Sequence, residues 1–159
     1  MKSTFLFSLL AIFIFISCQQ PAKNEQAAAN TPTPGITGTW KLLTGTLIEN
    51  GDTTVTDYTK DKSFIKIITP THFAFLTHTL RKDTTDFSAG GGRCIINGNN
   101  YSELLDYCNA KEWEGHRFDF TVTLSGDTLV QTGIEKIEAQ HINRLNTERY
   151  IRQKEYQDK

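Results

Sequence analysis

The sequence predicts an all-β domain, an eight-stranded antiparallel up-and-down barrel. Strict alternation is the first reason. In RFDFTVTL, residues 117–124, Phe118, Phe120, Val122 and Leu124 share one face, while Arg117, Asp119, Thr121 and Thr123 share the other. That is the pattern of a strand with one dry and one wet side. Turn chemistry is the second. Glycine stands beside Asn or Asp in ENGD (49–52), INGNN (96–100) and SGDT (125–128), each between extended runs, as short hairpins require. Spacing is the third, since many short strands joined by short turns close into a barrel and so lose their exposed edges.

Residues 1–17 precede that domain. Met1-Lys2 is followed by FLFSLLAIFIFI, Phe5 to Ile16, broken only by Ser8. A positive start and a short apolar run make a secretory signal, since a retained spanning helix needs ~20 apolar residues. The run ends in FISC, Phe15 to Cys18, which resembles a bacterial lipoprotein signal. The resemblance implies that Cys18 carries the lipid. Burial of CH₂ groups at ~0.8 kcal/mol each would then hold the protein on a membrane. The expected location is the bacterial cell envelope, lipid-anchored, at the outer membrane.

Residues 18–35 are expected to be a tether. QQPAKNEQAAANTPTPG holds three of the four prolines and too little apolar surface to order itself. Loss of Lys2 with the leader leaves 16 basic against 18 acidic residues, a net charge of −2. That balance offers no field for nucleic acid.

The barrel is expected over 36–154, with a polar tail at 155–159. Its strands are read at 38–49, SFIKIIT (63–69), HFAFLTHTL (72–80), GRCIIN (92–97), NYSELLDYC (100–108), 117–124, TLVQTGI (128–134) and ERYIRQK (148–154). Pro70 marks the turn between the second and third, where no ladder donor is needed. Two stretches are ambiguous. TTVTDYT (53–59) reads as a ninth strand or an extension, and EKIEAQHINRL (135–145) can hold a helical turn. Gly90-Gly91-Gly92 lacks the setting of a phosphate loop and reads as a bend at a barrel corner.

Gly38-Thr39-Trp40 stands at the start of the first strand. Gly-x-Trp at that place resembles the signature of the lipocalin and calycin barrels. The resemblance implies that Trp40 packs across the barrel floor under a basic residue of the last strand, Arg152, with Arg149 as second choice. The runs KIITPTHFAFLTH, GGGR…NGNNYSELLDY and EWEGHRFDFTV also resemble a group of lipocalin-like lipoproteins from Bacteroidetes-type bacteria. That likeness spans 38–153 and implies fold and location, not an activity.

Candidate site residues follow from the strand phase. With residues 97–98 or 98–99 as the turn, Tyr101, Glu103, Leu105 and Tyr107 share a face, read as the interior because it carries both tyrosines. Glu103 is then either a confined carboxylate that anchors a ligand or an acid at the rim that water satisfies. Phe118, Phe120 and Tyr107 would wall the cavity, and Trp113, in NAKEWEGH at the mouth, would cover either a ligand or the core. Cys94 would face Tyr101 or Glu103, and Cys108 would lie on the opposite face on the order of 20 Å away. A disulfide needs Cα atoms within ~7 Å, so both thiols are expected free. His72 and His78 share a face six residues apart, on the order of 20 Å, too far to chelate one ion. His116 follows Gly115 at a strand start, His141 lies in the ambiguous stretch, and no H-x-H, HExxH or Cys/His cluster exists, so no metal and no cofactor are expected. A single histidine reaching haem from the wall stays open. No serine triad, paired catalytic acids or nucleophile motif is present, so no enzyme is expected. The expected partner is a small, mostly apolar molecule. The alternative is a filled barrel that contacts another envelope protein.

Overall fold

The computed structural model describes residues 35–154. The leader, the tether up to residue 34 with Cys18, and the tail at 155–159 lie outside the described residues. Nine strands follow in chain order: β1 (Gly38–Glu49), β2 (Asp52–Asp57), β3 (Lys62–Ile68), β4 (His72–Thr79), β5 (Phe87–Asn97), β6 (Asn100–Cys108), β7 (Arg117–Ser125), β8 (Thr128–Ile137) and β9 (Ile142–Arg152). They pair in the order β2-β1-β3-β4-β5-β6-β7-β8-β9, and β1 also pairs with β9. The result is a closed eight-stranded antiparallel barrel with β2 as an extra strand. Both ambiguous stretches resolve. TTVTDYT contributes β2, which lies along the upper half of β1 with Thr44 opposite Asp57. Residues 138–140 form a single 3₁₀ turn between β8 and β9.

The connections differ between the two ends. At one end β3–β4, β5–β6 and β7–β8 are joined by two or three residues each, at 69–71, 98–99 and 126–127. At the other end lie residues 80–86, 109–116 and 138–141 and the β1–β2 turn. The tight end is also the sealed one. Trp40, Leu42, Ile68, Tyr101, Val122, Leu129 and Tyr150 are all at most 2% exposed, so apolar side chains from six strands fill the floor.

Trp40 and Arg152 lock that floor. They sit directly opposite in the β1–β9 ladder, and the guanidinium carbon lies 4.1 Å from the indole centroid. Arg152 donates to the carbonyls of Thr37 and Gly35, both at 2.8 Å, and Trp40 Nε1 donates to the Ile36 carbonyl at 2.7 Å. Gly38 is needed because its φ is +133° and an added Cβ would lie 2.7 Å from Arg152 Nη1. The Gly-x-Trp motif is therefore a demand of the lid over the ring: glycine makes the space that the arginine occupies.

Two bulges change which residues face inward. In β1 the register against β9 shifts between Leu42 and Thr44. Leu42 faces in, and beyond the bulge Gly45 and Leu47 take over. Between β5 and β6 it shifts between Gly91 and Gly92, with Gly92 opposite Leu105 and Gly91 opposite Tyr107. A Cβ on Gly92 would sit 2.0 Å from the Leu104 carbonyl oxygen, so this close approach excludes every other residue. The glycine run bends the strand at a barrel wall, as expected, and it does so through a bulge.

Arg152→Ala removes the stacked cation and two charge-assisted hydrogen bonds. It should lower unfolding free energy by about 2 kcal/mol, read from urea denaturation. Arg149→Ala, whose side chain is exposed on the outer face, should change it by less than about 0.5 kcal/mol.

Candidate functional site

Between the packed floor and the open end lies a cavity of about 290 Å³. Its walls are aromatic. Phe64 of β3 and Phe75 of β4 stack with centroids 5.7 Å apart, and Phe118 and Phe120 of β7 stand across from them. Trp113 ends a 3₁₀ turn at Lys111–Trp113 and packs on Phe118 at 5.8 Å. Tyr58, just after β2, meets Phe64 edge-on at 5.8 Å.

Polar side chains form two groups within this frame. The deeper group draws one residue from each of four strands. Lys66 of β3 is 3% exposed. Its ammonium donates to Glu103 Oε1 of β6 at 2.8 Å and to Gln131 Oε1 of β8 at 3.2 Å. Glu148 Oε2 of β9 lies 3.5 Å away and also accepts from the Tyr150 hydroxyl at 2.6 Å. The Lys66 ammonium sits 5.4 Å from the Tyr150 ring centroid. Burial pushes the Glu103 carboxyl above its ordinary pKa, against the pull of Lys66. Burial alone would lower Lys66, yet Glu103 and Glu148 outweigh it and hold the ammonium above its ordinary value.

The second group lies toward the mouth. Glu135 of β8 faces Arg144 of β9 directly, accepting from its Nε at 2.7 Å and from Asn146 Nδ2 at 2.8 Å. The Arg144 guanidinium lies 5.0 Å from the Trp113 centroid. This stacked pair covers one side of the opening.

Glu103, Phe118 and Phe120 thus border the cavity, as their strand phase predicts, and Trp113 borders it from the loop at the mouth. Two residues do not. Tyr107 is 72% exposed on the outer surface, because the β5–β6 bulge reverses the phase after Leu105. The same reversal turns Cys108 inward, where it lines the cavity; the expectation that it faces away from the Cys94 side is corrected. Tyr101 does point inward but is packed in the floor beneath the cavity, not among its lining residues. Its hydroxyl lies beside Glu103 and Cys94 and has no hydrogen-bond partner among the described residues. Burial raises its pKa far above that of an ordinary phenol. Cys94 and Cys108 are both free. His72 and His78 are exposed, and His116 packs against Phe118.

The residues that sequence reasoning missed are Lys66, Gln131, Glu135, Arg144, Asn146 and Glu148. A signal for them existed. Phe64, Lys66 and Ile68 share one strand phase, as do Leu129, Gln131, Glu135 and Ile137, so the apolar neighbours mark the polar members as inward.

Lys66→Met would leave Glu103 and Glu148 facing each other without their cation. Breaking a buried pair on one side costs about 3–5 kcal/mol, expected here at pH 7. Because the folded-state pKa of Glu103 is raised, its contribution favours folding below its unfolded pKa and is lost as pH rises through the folded value. The variant's deficit should therefore shrink between pH 7 and pH 5. Urea denaturation at both pH values checks this, and an unchanged deficit would contradict the proximity of the two acids.

No protein-family model matches the chain, and a search of curated proteins finds none similar to it at a significant level.

Proposed function

We propose that the protein is a lipid-anchored, lipocalin-like carrier of the bacterial cell envelope, holding a small, mostly apolar molecule in the barrel cavity. The cavity carries this reading: about 290 Å³, aromatic on most sides, with convergent polar groups inside it. Ligand pockets combine an apolar lining with a few placed polar groups, at volumes from about 300 Å³ upward, so the cavity suits a small ligand. Glu103 is the polar anchor, Phe118 and Phe120 are walls, and Trp113 with Arg144 covers the entrance. Anchoring rests on the leader and Cys18, and the outer membrane is the proposed address.

A second reading is an interaction module that uses the outside of the barrel. One observation favours it. Ile67, Ala74, Gly91 and Tyr107 lie in a row across β3 to β6, and Leu76 and Phe87 stand nearby, each more than a third exposed. Apolar surface of this kind marks contact sites when it is contiguous.

Native mass spectrometry of the full chain separates the two. The carrier reading expects a co-purified mass that disappears on denaturation and is lost in Phe120→Trp, whose larger ring fills the cavity. A clean apo mass, with a protein captured by the wild type and not by Tyr107→Ser, supports the second reading. Independently, metabolic labelling with a tagged fatty acid should mark the wild type and not Cys18→Ser, and an unmarked wild type would refute the lipid anchor.

A further inference from the structure

We propose that the cavity selects a protonated amine, an organic cation whose ammonium group sits beside Glu103 and Glu148 and whose apolar body lies against Phe64, Phe118 and Phe120. This rests on the carrier reading above and names the ligand's chemical class.

The charge arrangement in the cavity carries the inference. Three carboxylates, Glu103, Glu135 and Glu148, line it against two cations, Lys66 and Arg144. Toward the mouth the balance is even, because Glu135 has both oxygens bonded, one to Arg144 and one to Asn146. Deeper in, one ammonium faces two carboxylates, so the surplus negative charge lies at the inner end. Lys66 has three donors; two go to Glu103 and Gln131, and its charge is already shared by Glu103 and by Glu148 at 3.5 Å, which leaves it a poor site for an anionic ligand. Glu148 Oε2 serves Lys66 and Tyr150, while its Oε1 accepts no hydrogen bond from the described residues. Glu103 likewise commits only Oε1 to Lys66.

The open valences on the two inner carboxylates are acceptors, and the one unpartnered donor beside them among the described residues is the buried Tyr101 hydroxyl next to Glu103. A ligand ammonium would supply donors and balance the charge. A neutral ligand would cover the surplus carboxylate without compensating it, at the cost of burying an unpaired charge. The walls point the same way, since the faces of aromatic rings attract cations. Glu103 and Glu148 together hold Lys66 protonated against its burial, while Glu103 is raised chiefly by burial, with Glu148 adding to it.

The test uses three probes of one chain length: octylamine, 1-octanol and octanoate. Trp113 borders the cavity whereas Trp40 is fully buried in the floor, so a fluorescence change absent in Trp113→Phe reports occupancy of the cavity. At neutral pH the amine should bind at least about tenfold more tightly than the alcohol or the acid. Glu148→Gln should abolish that preference, and so should Glu103→Gln, with thermal melts confirming that each variant is folded. Binding in which the alcohol or the acid equals the amine overturns the amine assignment and leaves the carrier reading standing. A preference for the acid would place the headgroup at Arg144 instead. An amine preference that survives in both glutamine variants overturns the assignment to these two carboxylates. If none of the three probes binds, the carrier reading falls and the amine assignment falls with it.

Discussion

Closure of β1 onto β9 is the constraint on which the rest of the structure depends. An eight-stranded sheet left open would expose two edges and would have no inside. Here β1 pairs with β9 from Trp40 to Glu49, and the seam is backed where it begins. Arg152 covers the indole and ties down the carbonyls of residues 35 and 37, so the chain entering the barrel is fastened to the strand that completes it. Once the ring is closed, the inward phase of each strand becomes a shared interior. Residues far apart in sequence then meet: Lys66 reaches Glu103 across 37 positions and Gln131 across 65.

That interior is layered. The floor is apolar and sealed, a charged band crosses the middle, and aromatic rings stand around and above the band. The band is an expensive arrangement. Desolvating an ion costs several kcal/mol, and well-packed apolar residues in place of a buried ion pair are often neutral or stabilising. Stability alone would therefore have been served by filling the middle as the floor is filled. Keeping charges there, around unfilled space, makes sense as a means of positioning something polar. This is why the cavity, more than the outer surface, carries the functional reading.

Much of the fold could be read from the residues. Alternation in RFDFTVTL and glycine beside Asn or Asp at the turns are local signals with direct physical causes, and they locate the barrel strands. Trp40, Gly38 and Arg152 could be matched because the motif reflects a steric demand at one point. The errors arise where local pattern yields to non-local contact. Nothing in NYSELLDYC marks a bulge. It arises because Gly92 of the neighbouring strand lets the Leu104 carbonyl come close, and it carries Tyr107 to the outside and Cys108 to the inside. The charged band was hidden for a related reason. A lysine within SFIKIIT looks like an interruption until its partners on three other strands are brought beside it.

The seam that closes the barrel also orders its assembly. Most pairings are between sequential neighbours, and such hairpins can form as their own residues come together. The tie between Arg152 and Thr37 spans 115 positions. The chain must bear the entropy of that long loop before the tie returns anything, which is why topologies dominated by distant pairings fold slowly. Until β9 is in place, β1 presents an open edge along its full length and the indole of Trp40 lacks its cover. The cavity exists only once that ring of strands is closed. A chain caught before closure is a curled sheet with two reactive edges, able to pair with a neighbouring copy as readily as with itself.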